Sequence, residues 1–384
     1  MAKQPLKKKE VKTSSFSDFK KANGFTTNIA DKPIEWLEMP KGFVDALHIN
    51  IPQGYVSIIA GHSNTGKSTL INHIVAAAQR QKLIPIIYDT ENNFDFSYAK
   101  AVGFVAEPVY EDYVDEETGE VKQRVATYEG DFLYFNSTAL AERYGSWDYS
   151  TGKETKQKRT VPVIEDIVKS MNELLNAQDR GEIQQGLVFV WDSFGSIDGY
   201  KSYKSDVGNN MFDANSISMA FNTIINNRIP SSRKVTSQYT NTFVVVNKVW
   251  LDSTKNPVGP PSLALKGGSS LFYGAHGVII LCGGQLSSAT KKLVATSKGV
   301  NYNYGIETKL KCLKNQLPEP YTITYEGKVL VTPHGFISPD DAEQYKKEHI
   351  SEILKELNKS LDDSEDVITE KDVNFDEVDD ETYN

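Results

Sequence analysis

Residues 61–70, Gly-His-Ser-Asn-Thr-Gly-Lys-Ser-Thr-Leu, constrain this chain more than any other stretch. The run before them, GYVSIIA (54–60), is short and apolar, and KSTLINHIVAAAQRQK (67–82) after them has apolar residues at helical spacing. A G-x-x-x-x-G-K-[ST] loop between a buried strand and a helix is a phosphate cradle. Gly61 and Gly66 let the backbone N–H groups of the loop, through His62, Ser63, Asn64 and Thr65, wrap a polyphosphate. Lys67 adds charge near the outer phosphates, Ser68 offers a hydroxyl to Mg²⁺, and Thr69 completes the stretch. Motors, switches, kinases and filament proteins all carry such a loop, so it does not say what the nucleotide drives.

A parallel sheet follows from the other apolar runs. LIPIIYD (83–89), GLVFVWD (186–192) and TFVVVN (242–247) read as continuous buried strands, and VIEDIVKSMNELLNAQ (163–178) as an amphipathic helix. Strands alternating with helices predict an α/β fold, a mainly parallel sheet covered on both faces. After Gly277, the stretches VIILCG, GIETKLKCLKN, YTITYEG and KVLVTPHGFI are strand-like with no helix between them, which predicts an antiparallel extension. The core is expected over 36–338, interrupted by an insertion at about 105–160 whose Glu117-Thr118-Gly119-Glu120 resembles a hairpin turn. Residues 338–360 are expected to form one surface helix, with Ser338 as cap and Pro339 in first position.

Charge is unevenly placed. The formal net charge is −9, but residues 362–384 alone carry eleven acids and one lysine, which leaves the remainder near +1. The first 21 residues hold seven lysines and two acids. A basic extended arm (1–35), used for oligomerisation, and a disordered acidic tail (361–384) are the expectations, the tail being a candidate competitor for a basic groove. The chain has two cysteines, too few for a disulfide framework, which suits a reducing cytoplasm. No apolar run of membrane-spanning length is present, and the N-terminus has no apolar segment of the secretory kind.

Further candidate residues sit at strand ends. Asp192 closes GLVFVWD, where a carboxylate faces the nucleotide crevice and completes a metal site with Ser68. Asp89 and Glu91 follow LIPIIYD, and Glu91 is placed to polarise a water for attack on the terminal phosphate. Asn247, with Lys248 after it, closes TFVVVN and can sense that phosphate. Two long polar segments leave these strand ends, at 195–210 and 249–268; the first interleaves two lysines, Lys201 and Lys204, with two tyrosines and serines, a composition suited to a phosphodiester backbone.

Taken in order, these segments resemble RecA-type recombinases, most nearly those of T-even bacteriophages. The resemblance runs through GHSNTGKSTL, YDTENNFDFSYAKAVGF, LNAQDRGEIQQGLVFVWDSFGSI, VVVNKV, LKGGSSLFYGAHGVIIL and GIETKLKCLKNQLPEPYTI. It implies ATP and Mg²⁺ as cofactors, Glu91 as the water-activating base, and Asp95 and Tyr98 beside adenine. It implies DNA contacts near 198–213 and 249–269, with Gly267, Gly268 and Ser269 closing the second loop, and Lys314 reaching the ATP of a neighbouring subunit. The implied activity is DNA-dependent ATP hydrolysis with a helical filament on single-stranded DNA, pairing with double-stranded DNA, and strand exchange in recombination and repair. Implied partners are further copies, loading or mediator proteins and single-strand-binding proteins, in the cytoplasm of a bacterial host if phage-encoded. Three positions depart from the pattern. Lys248 replaces a glutamine, Gln316 replaces the second lysine of a Lys-Asn-Lys strand, and Asn28 in GFTTN replaces the alanine of an oligomerisation arm. Two alternatives stay open: a ring-forming hexameric replicative helicase, which shares the ATPase core but against which the paired-glycine loop end stands, and a non-catalytic mediator or paralogue that binds ATP without exchanging strands, to which Lys248 and Gln316 point.

Overall fold

In the computed structural model the residues described are 15–24, 30–205, 221–252, 262–265, 269–283, 290–322, 324–359 and 367–379. The chain opens with helix α1 (Phe16–Ala22), so the arm expected to be extended carries a two-turn helix, capped by Ser15 and Asp18. Phe16 and Phe19 stack on its exposed surface. The GFTTN segment lies outside the described residues beyond Gly24. Residues 30–32 run back along the chain's own body, where the Lys32 amide donates to the Arg233 carbonyl.

A short ribbon, β1 (Trp36–Leu37) with β2 (Ile51–Pro52), flanks α2 (Lys41–Leu47). The core then follows as β3 (Val56–Gly61), α3 (Lys67–Arg80), β4 (Ile84–Asp89) and α4 (Phe96–Ala101). Next come β5 (Glu107–Val114), β6 (Val121–Glu129), β7 (Leu133–Asn136), α5 (Ser137–Tyr144), β8 (Trp147–Asp148) and β9 (Lys153–Glu154). After them stand α6 (Ile164–Asp179), β10 (Leu187–Phe194), α7 (Tyr200–Ser205), a π-helical turn (Ile224–Arg228) continuing into α8 (Ile229–Ser232), and β11 (Thr242–Asp252). Then β12 (Ser262–Leu265), α9 (Ser269–Gly274), β13 (Gly277–Cys282), β14 (Lys291–Ser297), β15 (Val300–Asn315), β16 (Glu326–Thr332) and β17 (Gly335–Ile337) lead to α10 (Ala342–Glu348), α11 (Ile350–Lys359) and β18 (Asn374–Asp379).

The main sheet is ordered β17-β16-β15-β13-β3-β11-β10-β4-β7. From β13 to β7 all pairings are parallel, and β15 to β17 add the antiparallel extension. The apolar runs explain this. Every residue of β3 and β10 is buried, because helices cover both sheet faces. One face packs α6 through Ile164, Ile167, Met171 and Leu175; the other packs α2 and α3 through Phe43, Leu70, Ile71 and Ile74. VIILCG, expected within the antiparallel extension, instead forms β13, parallel to β3, and the reversal begins one strand later at β15. YTITYEG is not a strand over 321–322 or 324–325; its strand character starts at Glu326.

Three further expectations change. The region at 105–160 contains the hairpin, β5 with β6, but β7 is a strand of the main sheet, paired with β4. Its four residues were too short and half-exposed to show a pattern. The segment after β9 is pinned by a buried ion pair, in which Arg159 donates to both carboxylate oxygens of Asp166 on α6 at 2.8 and 2.9 Å. The single helix expected at 338–360 is a 3₁₀ turn (Pro339–Asp341) followed by α10 and α11, broken at His349; Ser338 precedes the turn without a side-chain cap. The acidic tail is not disordered over 374–379. It is β18, antiparallel to β14, with Lys291 bonded to Glu377 at 3.0 Å and the ring of Phe375 set edge-on to Tyr304. Val373 and Phe375, two residues apart and so on one side, pack against the C-terminal cluster in a stretch whose composition otherwise reads as solvated.

Candidate nucleotide site

The loop from Gly61 to Gly66 leaves the middle of the sheet, and its glycines are required by sterics. A Cβ at Gly61 would stand 2.5 Å from the Leu281 carbonyl oxygen, and Gly66 has φ +93° with Val331 3.0 Å from where its Cβ would be. Asn64 also takes a positive φ, of 59°. Thr65 Oγ1 donates to the His62 carbonyl at 2.9 Å, and Lys67 Nζ donates to the same oxygen. Lys67 is 8% exposed, and burial pulls its pKa down to about 8, against the opposing field of Asp192. Ser68 Oγ donates to Asp192 Oδ2 at 2.9 Å. Burial pushes the Asp192 carboxyl up to about 6, with Ser68 opposing and the charges of Glu91 and Asp89 adding to the rise.

Three neighbouring strands deliver the remaining groups. The β11–β3 register sets Asn247 beside Ala60 and Lys248 beside Gly61. Lys248 Nζ lies 3.0 Å from Glu91 Oε1, and Ser193 Oγ donates to that same oxygen. Burial favours the neutral form of Glu91, but Ser193 and Lys248 outweigh it and hold the carboxyl below its usual range. Asn247 is 1% exposed, inside the strand end. Ser193 was not legible in the sequence: nothing in its surroundings marks it until β10 is laid beside the turn after β4. Asp89 proves structural. Its carboxylate accepts from the amides of Glu91, Asn93 and Phe94 and from the Tyr134 hydroxyl, which fixes the turn carrying Glu91.

Other expected residues stand apart from this cluster. Asp95 caps α4, accepting from the Tyr98 amide at 3.0 Å. The Tyr98 hydroxyl donates to the Thr332 carbonyl at 3.4 Å and lies 3.5 Å from His73 Nε2, at the turn between β16 and β17. Lys201 and Lys204 lie on α7, and Lys204 pairs with Asp148 at 3.1 Å. Within the segment 249–268, expected to be a loop, 249–252 pair with 262–265 as part of a β11–β12 ribbon, with Val249 opposite Leu265. Gly267 and Gly268 lie outside the described residues, as do 206–213; Ser269 is the first residue of α9. Lys314 Nζ donates to the carbonyls of Phe272 and Tyr273, at 2.7 and 2.9 Å, and so caps the end of α9. It is level with Ile58, three residues before Gly61 and roughly 10 Å down the sheet.

A buried amine, a hydroxyl bonded to a carboxylate, and a second carboxylate beside a cation thus surround a glycine-framed loop. Hard oxygen ligands such as Ser68 and Asp192 suit a magnesium ion, and Lys67 suits the phosphates it would accompany.

Short stretches of this chain are related to RecA proteins. The RecA of Chlorobium limicola is 43% identical over 53 residues, covering 14% of this chain and 15% of that protein. The RecA of Campylobacter lari is 32% identical over 110 residues, 27% of this chain and 32% of its own length. That of Wolinella succinogenes is 35% identical over 89 residues, 22% and 25% respectively. The chain therefore spans well under two thirds of the RecA proteins it matches. No family model matches it. Among the described residues no helix is long and apolar enough to cross a membrane.

Proposed function

We propose that this protein is an ATP-dependent recombinase of the RecA type, nearest the T-even phage branch, acting in the cytoplasm of a bacterial host. It polymerises on single-stranded DNA, pairs it with homologous duplex and exchanges strands. The observation that carries the reading is the convergence of Lys67, the Ser68–Asp192 pair and Glu91 at the same end of the parallel strands β3, β10 and β4, with Lys248 contributed by β11, which lies between β3 and β10. ATP with Mg²⁺ is the matching ligand. Lys67 and the loop amides hold the phosphates, Ser68 and Asp192 hold the ion, Glu91 takes a proton from the attacking water, and Asn247 with Lys248 faces the terminal phosphate. Asp95 and Tyr98 lie toward adenine. DNA is assigned to the segments around Lys201, Lys204, Gly267, Gly268 and Ser269, where backbone contacts to phosphates leave the bases available for pairing. Lys314 is turned away from its own chain's loop, so a role at ATP requires a neighbouring subunit's site.

One observation favours a second reading. The Lys248–Glu91 contact occupies the base, which suits a mediator that binds ATP and coats DNA without exchanging strands. A strand-exchange assay with the wild type and Glu91→Gln separates the two. The recombinase reading expects joint molecules from the wild type, with ATP turnover lost in the variant. Coating of DNA without joint molecules from either protein overturns it in favour of the mediator.

A further inference from the structure

A second cluster of ligating side chains lies on the far side of the Tyr98 contact, where the β16–β17 turn meets the two C-terminal helices. His334 sits in that turn, His349 at the break between α10 and α11, and Glu352 in the first turn of α11. One nitrogen from each imidazole and one carboxylate oxygen all lie within 4.8 Å of one another. His334 Nε2 is 3.1 Å from one carboxylate oxygen of Glu352, and His349 Nδ1 is 3.6 Å from the other. The remaining nitrogen of His334, Nδ1, is held by the Tyr345 hydroxyl at 2.9 Å. A second hydrogen bond of this kind orients a ligating histidine and sets its tautomer.

We propose that His334, His349 and Glu352 form a site for a divalent ion of the Zn²⁺ class. Two imidazoles and one carboxylate are a donor set that zinc takes readily, with water in the fourth position, whereas magnesium disfavours nitrogen ligands. The site is thus chemically separate from the oxygen-lined pair Ser68–Asp192. The side chains are 33%, 23% and 63% exposed, so an ion has a path from solvent. The two rings now stack with centroids 3.7 Å apart and planes 21° from parallel. For both lone pairs to meet one ion the rings must splay, a rotation about the softer second side-chain torsion. Binding would join the β16–β17 turn to α11. That turn carries the Thr332 carbonyl held by Tyr98 and the Gly335 that packs against His73, so the ion would brace one wall beside the phosphate-loop helix.

The test uses the full untagged chain, stripped with chelator and titrated with Zn²⁺ alone by calorimetry, and with Co²⁺ alone by visible absorption. The expected result is one saturable ion per chain, a strong four-coordinate Co²⁺ band, and a higher melting temperature with Zn²⁺. His334→Ala and His349→Ala should each weaken binding at least tenfold, about the low end of what even an outer-shell partner contributes. Glu352→Gln, a surface change that keeps size and shape, should do likewise with an unchanged circular dichroism spectrum. Absence of a saturable ion, or binding as tight in all three variants as in the wild type, overturns the proposal. So does binding that disappears in Asp192→Asn and persists in Glu352→Gln, because the ion would then belong to the phosphate loop.

Discussion

Lys67 and Asp192 share one buried space, and each is strained in its ionised form by the loss of water. Their mutual attraction and the Ser68 hydrogen bond offset part of that cost. Lys67→Ala removes a charge-assisted contact to phosphate and should weaken nucleotide binding roughly 10- to 100-fold. Binding of a fluorescent ATP analogue measures it, and unchanged affinity would sink the assignment of the loop. Asp192 has its pKa raised to about 6, so the folded chain holds a proton that the unfolded chain, near the ordinary value of about 4, has already released. Ligand-free stability should therefore fall as pH rises through that window, while Mg²⁺-dependent nucleotide affinity should rise, because only the carboxylate holds the ion. Asp192→Asn should flatten both trends, as read from melting temperature and nucleotide titrations between pH 4.5 and about 7. Glu91 is shifted the other way, in part by Lys248. In Lys248→Gln its carboxyl should titrate higher, moving the acidic limb of the ATPase pH profile toward neutrality. An unmoved limb would show that Lys248 does not act through Glu91.

Strand β18 closes the sheet edge next to β14 and brings Phe375 over the C-terminal cluster of Tyr304, Tyr345 and Ile353. Lys346 also sits over its ring, at 5.1 Å. Phe375→Ala should lower stability by roughly 1–2 kcal/mol, below the range for a fully buried phenylalanine because this ring is only half-buried. Chemical denaturation measures it. Deleting 361–384 is consequently a structural change as well as an electrostatic one. It removes ten net negative charges, which should strengthen duplex binding and alter its salt dependence, and it bares the β14 edge, which should lower the melting temperature. A truncation that alters binding without affecting melting would argue that β18 contributes nothing to the fold. The same logic explains the Arg159–Asp166 pair: it ties an irregular segment to α6 where no apolar pattern could.

At the scale of the molecule, Lys314 stands about 10 Å down the sheet from the Gly61–Ser68 loop, with its ammonium engaged by the end of α9. Gly61 is level with Leu281, and Lys314 with Val278. In the proposed filament, Lys314 would serve the ATP of a neighbouring copy and not that of its own chain. Mixed filaments test this. Lys314→Ala and Glu91→Gln subunits should each hydrolyse ATP poorly alone, and mixing them should restore part of the DNA-dependent rate, because some interfaces then carry both native residues. No restoration would argue against a shared site.

The sequence by itself determined the glycine-framed turn between strand and helix, the buried parallel strands and the two faces that cover them. Those features depend on local steric demands and on apolar runs that are continuous along the chain, as at Gly61, Gly66 and GLVFVWD. It also marked Asp192 and Glu91, because strand ends of a parallel sheet converge on one edge. Only the tertiary structure decided that Lys248 meets Glu91, that Ser193 joins them, that Asp89 serves the turn, and that part of the acidic tail is a strand. Except for the Asp89 turn, which is built mostly from amides two to five residues on, each of those facts depends on register between segments far apart in the chain. A register shift of one residue turns a side chain to the opposite face of the sheet, and no local pattern of residues encodes which partner will stand alongside.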